Sequence, residues 1–366
     1  MSEGAVRPRA SAAHRPGRAA AFAARAGACA AVCAMIVGCK GATSSGDAPA
    51  PSAAIEPPLA SAPAPPASSI AAALPLPSAT GSPSARDTAV GLVKLLDAGD
   101  PPRRKLRYAW HVDQKEQLSM DMRTAASTRG DAPDAGTKGD DVPLPTVHVV
   151  IAIDPQSVTA DGDMRYVWTV TSTKVDAEEG TPAQVTEGMS AQVAAIAHLS
   201  GSAVVTARGL TREIATDPGT PGQMVDQVQQ TLRDVAAPFP EEEVGVGARW
   251  RKSSRLDDRD ARVAQSETFR LVKLEDERGS LDDALAQTAP PQALHAPGQA
   301  AGSHARMESM LASGEAKIRF DLSRLVPQTA FDGTTKMVLS GAPPGDVERS
   351  LRMVMHVFIG ITGSRR

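Results

Sequence analysis

The sequence predicts an α+β fold: a β-rich domain with one large curved antiparallel sheet, an open half-barrel or a folded-over sheet, carrying two inserted helices. Three observations lead there. Apolar and polar residues alternate with period two in run after run between Lys105 and Ile361. Two such runs are joined by Asp161-Gly162-Asp163, a tight-turn signal that pairs neighbours antiparallel. The apolar period lengthens to helical spacing in only two stretches.

Order is expected to begin near Arg86, in a single β-rich domain over residues 86–366. Val90 to Leu96 fits helix or strand by periodicity alone, and Asp97-Ala98-Gly99-Asp100-Pro101-Pro102 closes it as a turn. Leu106, Tyr108, Trp110 and Val112 alternate with polar or small residues, predicting a half-buried strand over Lys105 to Val112. Leu118, Met120 and Met122 repeat the pattern before a polar, Gly-rich loop from Ser127 to Asp141. Val147, Val149, Ile151 and Ile153 form the most regular strand. Tyr166, Trp168 and Val170 line one face of the next, Met164 to Thr173.

The period then changes. Val185, Met189, Val193 and Ile196 stand at helical spacing within Ala183 to Leu199. Gly201 to Arg208 returns to strand. A second helix is expected from Pro221 to Ala237, with Thr220 as N-cap, Gln223 completing a capping box, and Pro238-Phe239-Pro240 as its stop. Strands follow at Ala248 to Arg255, Glu267 to Glu275, Ser280 to Thr288, Lys317 to Leu322 and Thr335 to Leu339, with a loose loop over Pro290 to Ser303. The last strand, Ser350 to Ile361, turns apolar on both faces at its far end, which places it centrally in a sheet.

Ahead of this domain, Ala26 to Cys39 reads AGACAAVCAMIVGC, preceded by Arg7, Arg9, Arg15, Arg18 and Arg25 against Glu3 alone. The run is too short to span a bilayer, which needs about 20 apolar residues, and a basic region before a short apolar one is a secretory signal. Ile36, Gly38 and Cys39 resemble the lipobox of bacterial lipoproteins. That resemblance implies residues 1–38 as a lipoprotein signal peptide, cleavage after Gly38, and lipidation of Cys39 with a diacylglyceryl thioether and an N-linked acyl chain such as palmitate. Several acyl chains anchor stably where one does not. Lys40, by resemblance to Gram-negative sorting, implies the outer membrane, with the domain facing the periplasm. Gly41 to Ala85 holds ten prolines and no aromatic residue. It cannot bury enough apolar surface to fold, so residues 39–85 read as a lipidated cysteine on a disordered leash of roughly 40 Å as a coil.

Removing residues 1–38 takes five arginines and one glutamate from 39 basic and 42 acidic residues, leaving a net charge of about −7. That argues against nucleic acid as a partner. The three cysteines all fall at or before Cys39, so the folded domain rests on its core without disulfides. No two of His111, His148, His198, His295, His304 and His356 have metal-ligand spacing, and no nucleophile-elbow or phosphate-loop motif occurs. Asp131, Asp134, Asp140 and Asp141 read as solvated acid or a weak calcium loop, and Glu241-Glu242-Glu243 as a charged turn. These readings name no cofactor and no catalytic residue.

Methionine is the compositional feature that remains. Met120, Met122, Met353 and Met355 alternate on strands, and Trp168 shares the inward pattern. Methionine fills irregular cores and also lines adaptable apolar binding surfaces. As ligand-binding candidates these five residues would line a groove under a curved sheet.

LLDAGDPPRRKLRYAW at Leu95 to Trp110, ARGLTRE at Ala207 to Glu213, PFPEEEVGVGARW at Pro238 to Trp250, AQTAPPQ at Ala286 to Gln292 and DLSRLVP at Asp321 to Pro327 carry a resemblance. The folded region resembles an uncharacterised bacterial lipoprotein family of myxobacterial type, built on a domain of unknown function. The resemblance implies a secreted or lipid-anchored β-rich domain and a strand at Val90 to Leu96. It brings no activity. The expected function is a non-enzymatic, lipid-anchored cell-envelope protein, with a membrane, and a lipid or envelope protein, as partners. A structural or assembly lipoprotein without a pocket, or a hydrolase assembled from distant residues, are the alternatives.

Overall fold

The computed structural model describes residues 92–130, 142–217, 223–257, 262–294, 304–342 and 349–366. The expected signal peptide, Cys39 and leash, the Asp131–Asp141 part of the expected polar loop and the Thr220–Pro221 cap lie outside them, as does most of the stretch after Pro290, whereas Ser127 to Gly130, expected to open that loop, continue a strand paired along its length.

Among the described residues, fourteen strands form one antiparallel sheet that does not close into a barrel. Strand β1 (Leu92–Asp97) is strand rather than helix. After it come β2 (Glu116–Gly130), the short β3 (Val142–Pro143), β4 (Thr146–Val158), β5 (Met164–Asp176), helix α1 (Ala183–Ala194), β6 (Ser200–Val205) and β7 (Thr211–Thr216). Helix α2 (Gln223–Arg233) leads to the second half. That half comprises β8 (Arg249–Asp257), β9 (Arg262–Glu275), β10 (Arg278–Ala289), the short β11 (Gln292–Leu294), β12 (His304–Asp321), β13 (Gln328–Ala342) and β14 (Arg349–Arg365). The spatial order is β1-β8-β9-β10-β12-β13-β14-β2-β4-β5-β6-β7. Two meanders thus meet at the β14–β2 ladder, and β14, apolar on both faces, is central as its sequence requires.

Two long connections join strands that are far apart in this sheet. Chain order puts β7 at one end and β8, beside the edge strand β1, at the opposite end, with α2 between them. Thr211 on β7 donates its hydroxyl to Leu232 O (3.4 Å), and Asp234, just past α2, pairs with Lys252 on β8. The sheet therefore curls until its ends face each other across α2. The second connection runs from β1 back to the central β2. Its residues Leu106, Tyr108 and Trp110 are buried, as their alternation demands, but they are not a strand of the sheet. The segment is extended and threads the concave side, donating Tyr108 N to Ala207 O and Ala109 N to Leu322 O, 2.8 Å each. This corrects the expected strand at Lys105 to Val112: period two reports an extended, half-buried chain, and ladder partners decide whether it is sheet.

Both helices end earlier than expected. After Ala194 the chain tightens into turns, with His198 at φ 66°, so that Leu199 N reaches Ile196 O. The Val235–Ala237 stretch leaves α2 to pack as buried irregular chain.

The concave face buries one large aromatic core. Tyr108 stacks on Trp110 at 4.3 Å, Phe239 meets Tyr108 at 5.3 Å and Phe320 at 5.1 Å, and Trp250 stacks on Phe269 at 5.9 Å. Stacked and tilted pairs at such spacings add about 0.5–1.5 kcal/mol each beyond burial. The convex face carries charge: Asp282 on β10 pairs with Arg270 on β9 and Lys317 on β12. One face is therefore packed and the other solvated, the usual antiparallel arrangement. Among the described residues no helix is long and apolar enough to cross a membrane.

Candidate functional site

Cross-strand register sorts the concave wall into rows. Trp250, Phe269, Asp283, Ala316, Phe331, Ile359 and Met122 stand opposite one another in turn, within the aromatic core. The next row reads Lys252, Glu267, Leu285, Gly314, Gly333, Val357 and Thr124. Then come Ser254, Gln265, Gln287, Ala312, Thr335, Met355 and Ala126. Beyond them Ala289, Met310, Met337 and Met353 face Thr128. A band of buried polar and glycine residues therefore separates the aromatic core from a second apolar cluster.

That second cluster holds five methionines, Met307, Met310, Met337, Met353 and Met355, among eleven buried residues, and no aromatic ring. Leu256, Leu294, Leu351 and Val185 of α1 pack on it. Of the residues singled out from sequence, Met353 and Met355 lie here. Met120 and Trp168 are buried in the aromatic core, Met120 opposite Val149 and Ile361, Trp168 opposite Ile153 and Gly201. Met122 packs partly buried on that same core. The structure thus divides the five candidates between two regions. It also adds Met337, which alternates with Thr335 and Leu339, and Met307 and Met310, which alternation hides. Met307 and Met310 are three apart and should face opposite ways, but a bulge between Met307 and Ser309 turns both inward.

Where the two regions meet, Leu285, Gln287, Phe331, Gly333, Thr335 and Val357 line a shallow dimple with room for about one water molecule. A Cβ on Gly333 would lie 2.2 Å, and on Gly314 2.1 Å, from the Phe331 ring, so the ring packs against two bare backbones. Gln287 is buried to 1% exposure. Its Nε2 donates to Gln265 Oε1 at 2.6 Å, and its own Oε1 has no hydrogen-bond partner among the described residues.

Electrostatics closes the far side of the band. Lys252 Nζ lies 2.5 Å from Asp234 and 3.3 Å from Glu267, all three side chains buried. Burial opposes the ammonium charge, but attraction to Asp234 and then to Glu267 holds its pKa above the ordinary lysine value. Elsewhere Glu116 accepts from Leu325 N at 2.7 Å and Val326 N at 3.3 Å, tying the start of β2 to the β12–β13 turn. Burial raises its pKa, with those backbone donors and Arg324 acting against the rise.

The remaining sequence candidates take surface positions. His148 sits between Asp121 (2.6 Å) and Asp176 (3.2 Å) on the solvated face. His356 is exposed, 3.2 Å from the Thr334 hydroxyl. Within the charged Glu241–Glu243 stretch, Glu241 acts as a clamp, accepting from Arg107 at 2.8 Å and Arg208 at 2.6 Å. Among the described residues no three His, Cys, Asp or Glu side chains converge as metal ligands.

No protein-family model matches the chain, and no curated protein does. Among solved structures, the crystal structure of Acinetobacter baumannii OccAB4 aligns at 8% identity over 69% of this chain and 99% of that chain. Its TM-score is 0.19, and a likeness that slight carries no argument.

Proposed function

We propose that this is a lipid-anchored cell-envelope protein whose curled sheet holds an apolar ligand, an acyl chain, without catalysing a reaction. The observation that carries the reading is the methionine cluster. A core built only for stability is served by branched and aromatic side chains with defined rotamers, as in the aromatic half of this wall. Five unbranched thioether side chains on neighbouring strands repack around a flexible guest at little cost. The lipobox-like Ile36 to Cys39 and the proline leash support the anchor and the periplasmic face of the outer membrane as its address.

Two measurements test this. Purified protein is extracted into organic solvent and analysed by lipid mass spectrometry; an acyl lipid at near-stoichiometric amount is expected. Protein free of lipid that also fails to take up added amphiphiles refutes the binding function. For the anchor, Cys39→Ser is expected to release the protein from the membrane fraction and abolish palmitate incorporation. Retention with undiminished labelling refutes it.

A further inference from the structure

We infer that the convex face at the β1–β8–β9 end of the sheet docks on an anionic lipid bilayer, through Lys94, Arg249, Arg251 and Arg270, with Leu92 as an apolar foot. The inference rests on the lipid-anchor reading above and adds how the tethered domain meets its membrane.

Register places the cations. Lys94 on β1 stands directly opposite Arg251 on β8, and Arg249 stands directly opposite Arg270 on β9. All four residues are exposed. Residues two apart on a strand share a face about 7 Å apart, so the two pairs are neighbours. Arg255, also exposed, extends the row along β8. Like charges directly opposite one another weaken a sheet. Here they recur on adjacent rows of a chain whose net charge without residues 1–38 is about −7.

Local carboxylates offset them little. Asp97 faces Arg249 across the β1–β8 ladder, but its Oδ1 accepts from Gly99 N at 3.0 Å. Asp282 lies 3.8 Å from Arg270 and 2.6 Å from Lys317. Among the described residues no carboxylate pairs with Lys94, Arg249, Arg251 or Arg255. Their donors are therefore open to phosphate, which the arginine fork meets with two parallel hydrogen bonds.

Leu92 and the tether select a bilayer over a soluble anion. Leu92 is 73% exposed and stands two residues before Lys94, on the same face. An aliphatic side chain beside exposed cations suits the boundary between head groups and acyl chains. Among the described residues β1 is the first element, so this patch is the part of the domain nearest Cys39 along the chain. It also ends the sheet, with no strand of the described residues beyond it.

The test uses the chain that processing would leave, residues 39–366 with Cys39→Ser, so that neither acyl chains nor the arginines before Cys39 contribute. It is sedimented with vesicles of phosphatidylcholine alone or mixed equally with phosphatidylglycerol. Binding to the anionic vesicles alone is expected at about 0.1 M salt, and its loss at about 0.5 M. Each cation near an anionic surface contributes about fivefold in affinity, so Lys94→Gln/Arg251→Gln is expected to bind about 20-fold more weakly. Leu92→Ser is expected to weaken binding about fivefold. The preference between vesicles is read on the parent, so misfolding of a variant does not remove the test. A parent that binds neither vesicle, or both alike, overturns the docking surface, as does a folded double variant that binds like the parent. Soluble polyglutamate bound as tightly as the vesicles, with no effect of Leu92→Ser, assigns the patch to an acidic protein and also overturns it. The anchor itself stands or falls separately, on palmitate labelling at Cys39.

Discussion

Lys252 Nζ lies 2.5 Å from Asp234 Oδ1, and this buried pair fastens the end of α2 to β8 where the two ends of the sheet face each other. Desolvating two charges is costly, and the pair is stable because Glu267 completes it at 3.3 Å. Removing the cation leaves two buried carboxylates together. Lys252→Met is expected to cost about 3–5 kcal/mol in urea unfolding, more than Asp234→Asn, which leaves Lys252 its contact with Glu267. The lysine pKa is raised in the folded state, so its stabilisation is complete below the unfolded value of about 10.4 and is lost as pH rises through the higher folded value. Unfolding midpoints measured above pH 10 are expected to fall in the parent and to change less in Lys252→Met.

Phe331 and Gly333 form a matched pair. The ring needs the bare backbone, since a Cβ on Gly333 would lie 2.2 Å from it. Gly333→Ala is expected to destabilise by about 1–3 kcal/mol through overpacking. Phe331→Ala is expected to cost about 3–5 kcal/mol through the space it leaves. In the double variant the added methyl enters the vacated space, so the combined loss is expected to be smaller than the sum of the singles by at least about 0.5 kcal/mol, read as the coupling of a double-mutant cycle. Additivity would show that the ring does not rest on the glycine.

Asp321 closes β12 and organises the turn after it, accepting from Ser323 N at 3.0 Å, Ser323 Oγ at 2.7 Å and Arg278 Nε at 2.9 Å. Partial burial pushes its pKa up, but the Ser323 and Arg278 donors outweigh that and hold it below the ordinary aspartate value. A depressed carboxylate stabilises above the unfolded value of about 3.9, and that contribution disappears as pH falls through the lower folded value. Asp321→Asn is expected to lose about 1–2 kcal/mol at pH 7 and to flatten the dependence of stability on pH below 4, measured by urea unfolding across pH 2–7.

Much of this sheet was legible because side-chain period reports the pleat directly. Val147 to Ile153 and Leu351 to Ile361 name their buried faces residue by residue, and the two helical stretches fall where α1 and α2 form. What period two does not encode is the partner. Tyr108 and Trp110 alternate as a strand does, yet their segment threads the concave side with Tyr108 bonded to Ala207 and Ala109 to Leu322, at positions about 100 and 200 residues away that no local pattern specifies. The methionine-lined wall was legible only in part for a related reason. Met353 and Met355 obey alternation, whereas Met307 and Met310 are brought to the same face by a bulge.

The methionine cluster gives the last prediction, in which stability and binding separate. Leucine nearly conserves the volume of methionine, so converting Met337, Met353 and Met355 to leucine is expected to change unfolding free energy by less than about 1.5 kcal/mol for each site. Branching at Cγ removes the freedom of the straight thioether chain, so the altered wall repacks less readily around a guest. Methyl laurate binding to the triple variant is therefore expected to weaken by at least fivefold while its unfolding midpoint stays near that of the parent. The same two measurements on Met120→Leu, a site inside the aromatic core opposite Val149, are expected to leave affinity unchanged. If the triple variant binds as tightly as the parent, the methionines fill the wall without adapting to a ligand, and the chain must lie elsewhere.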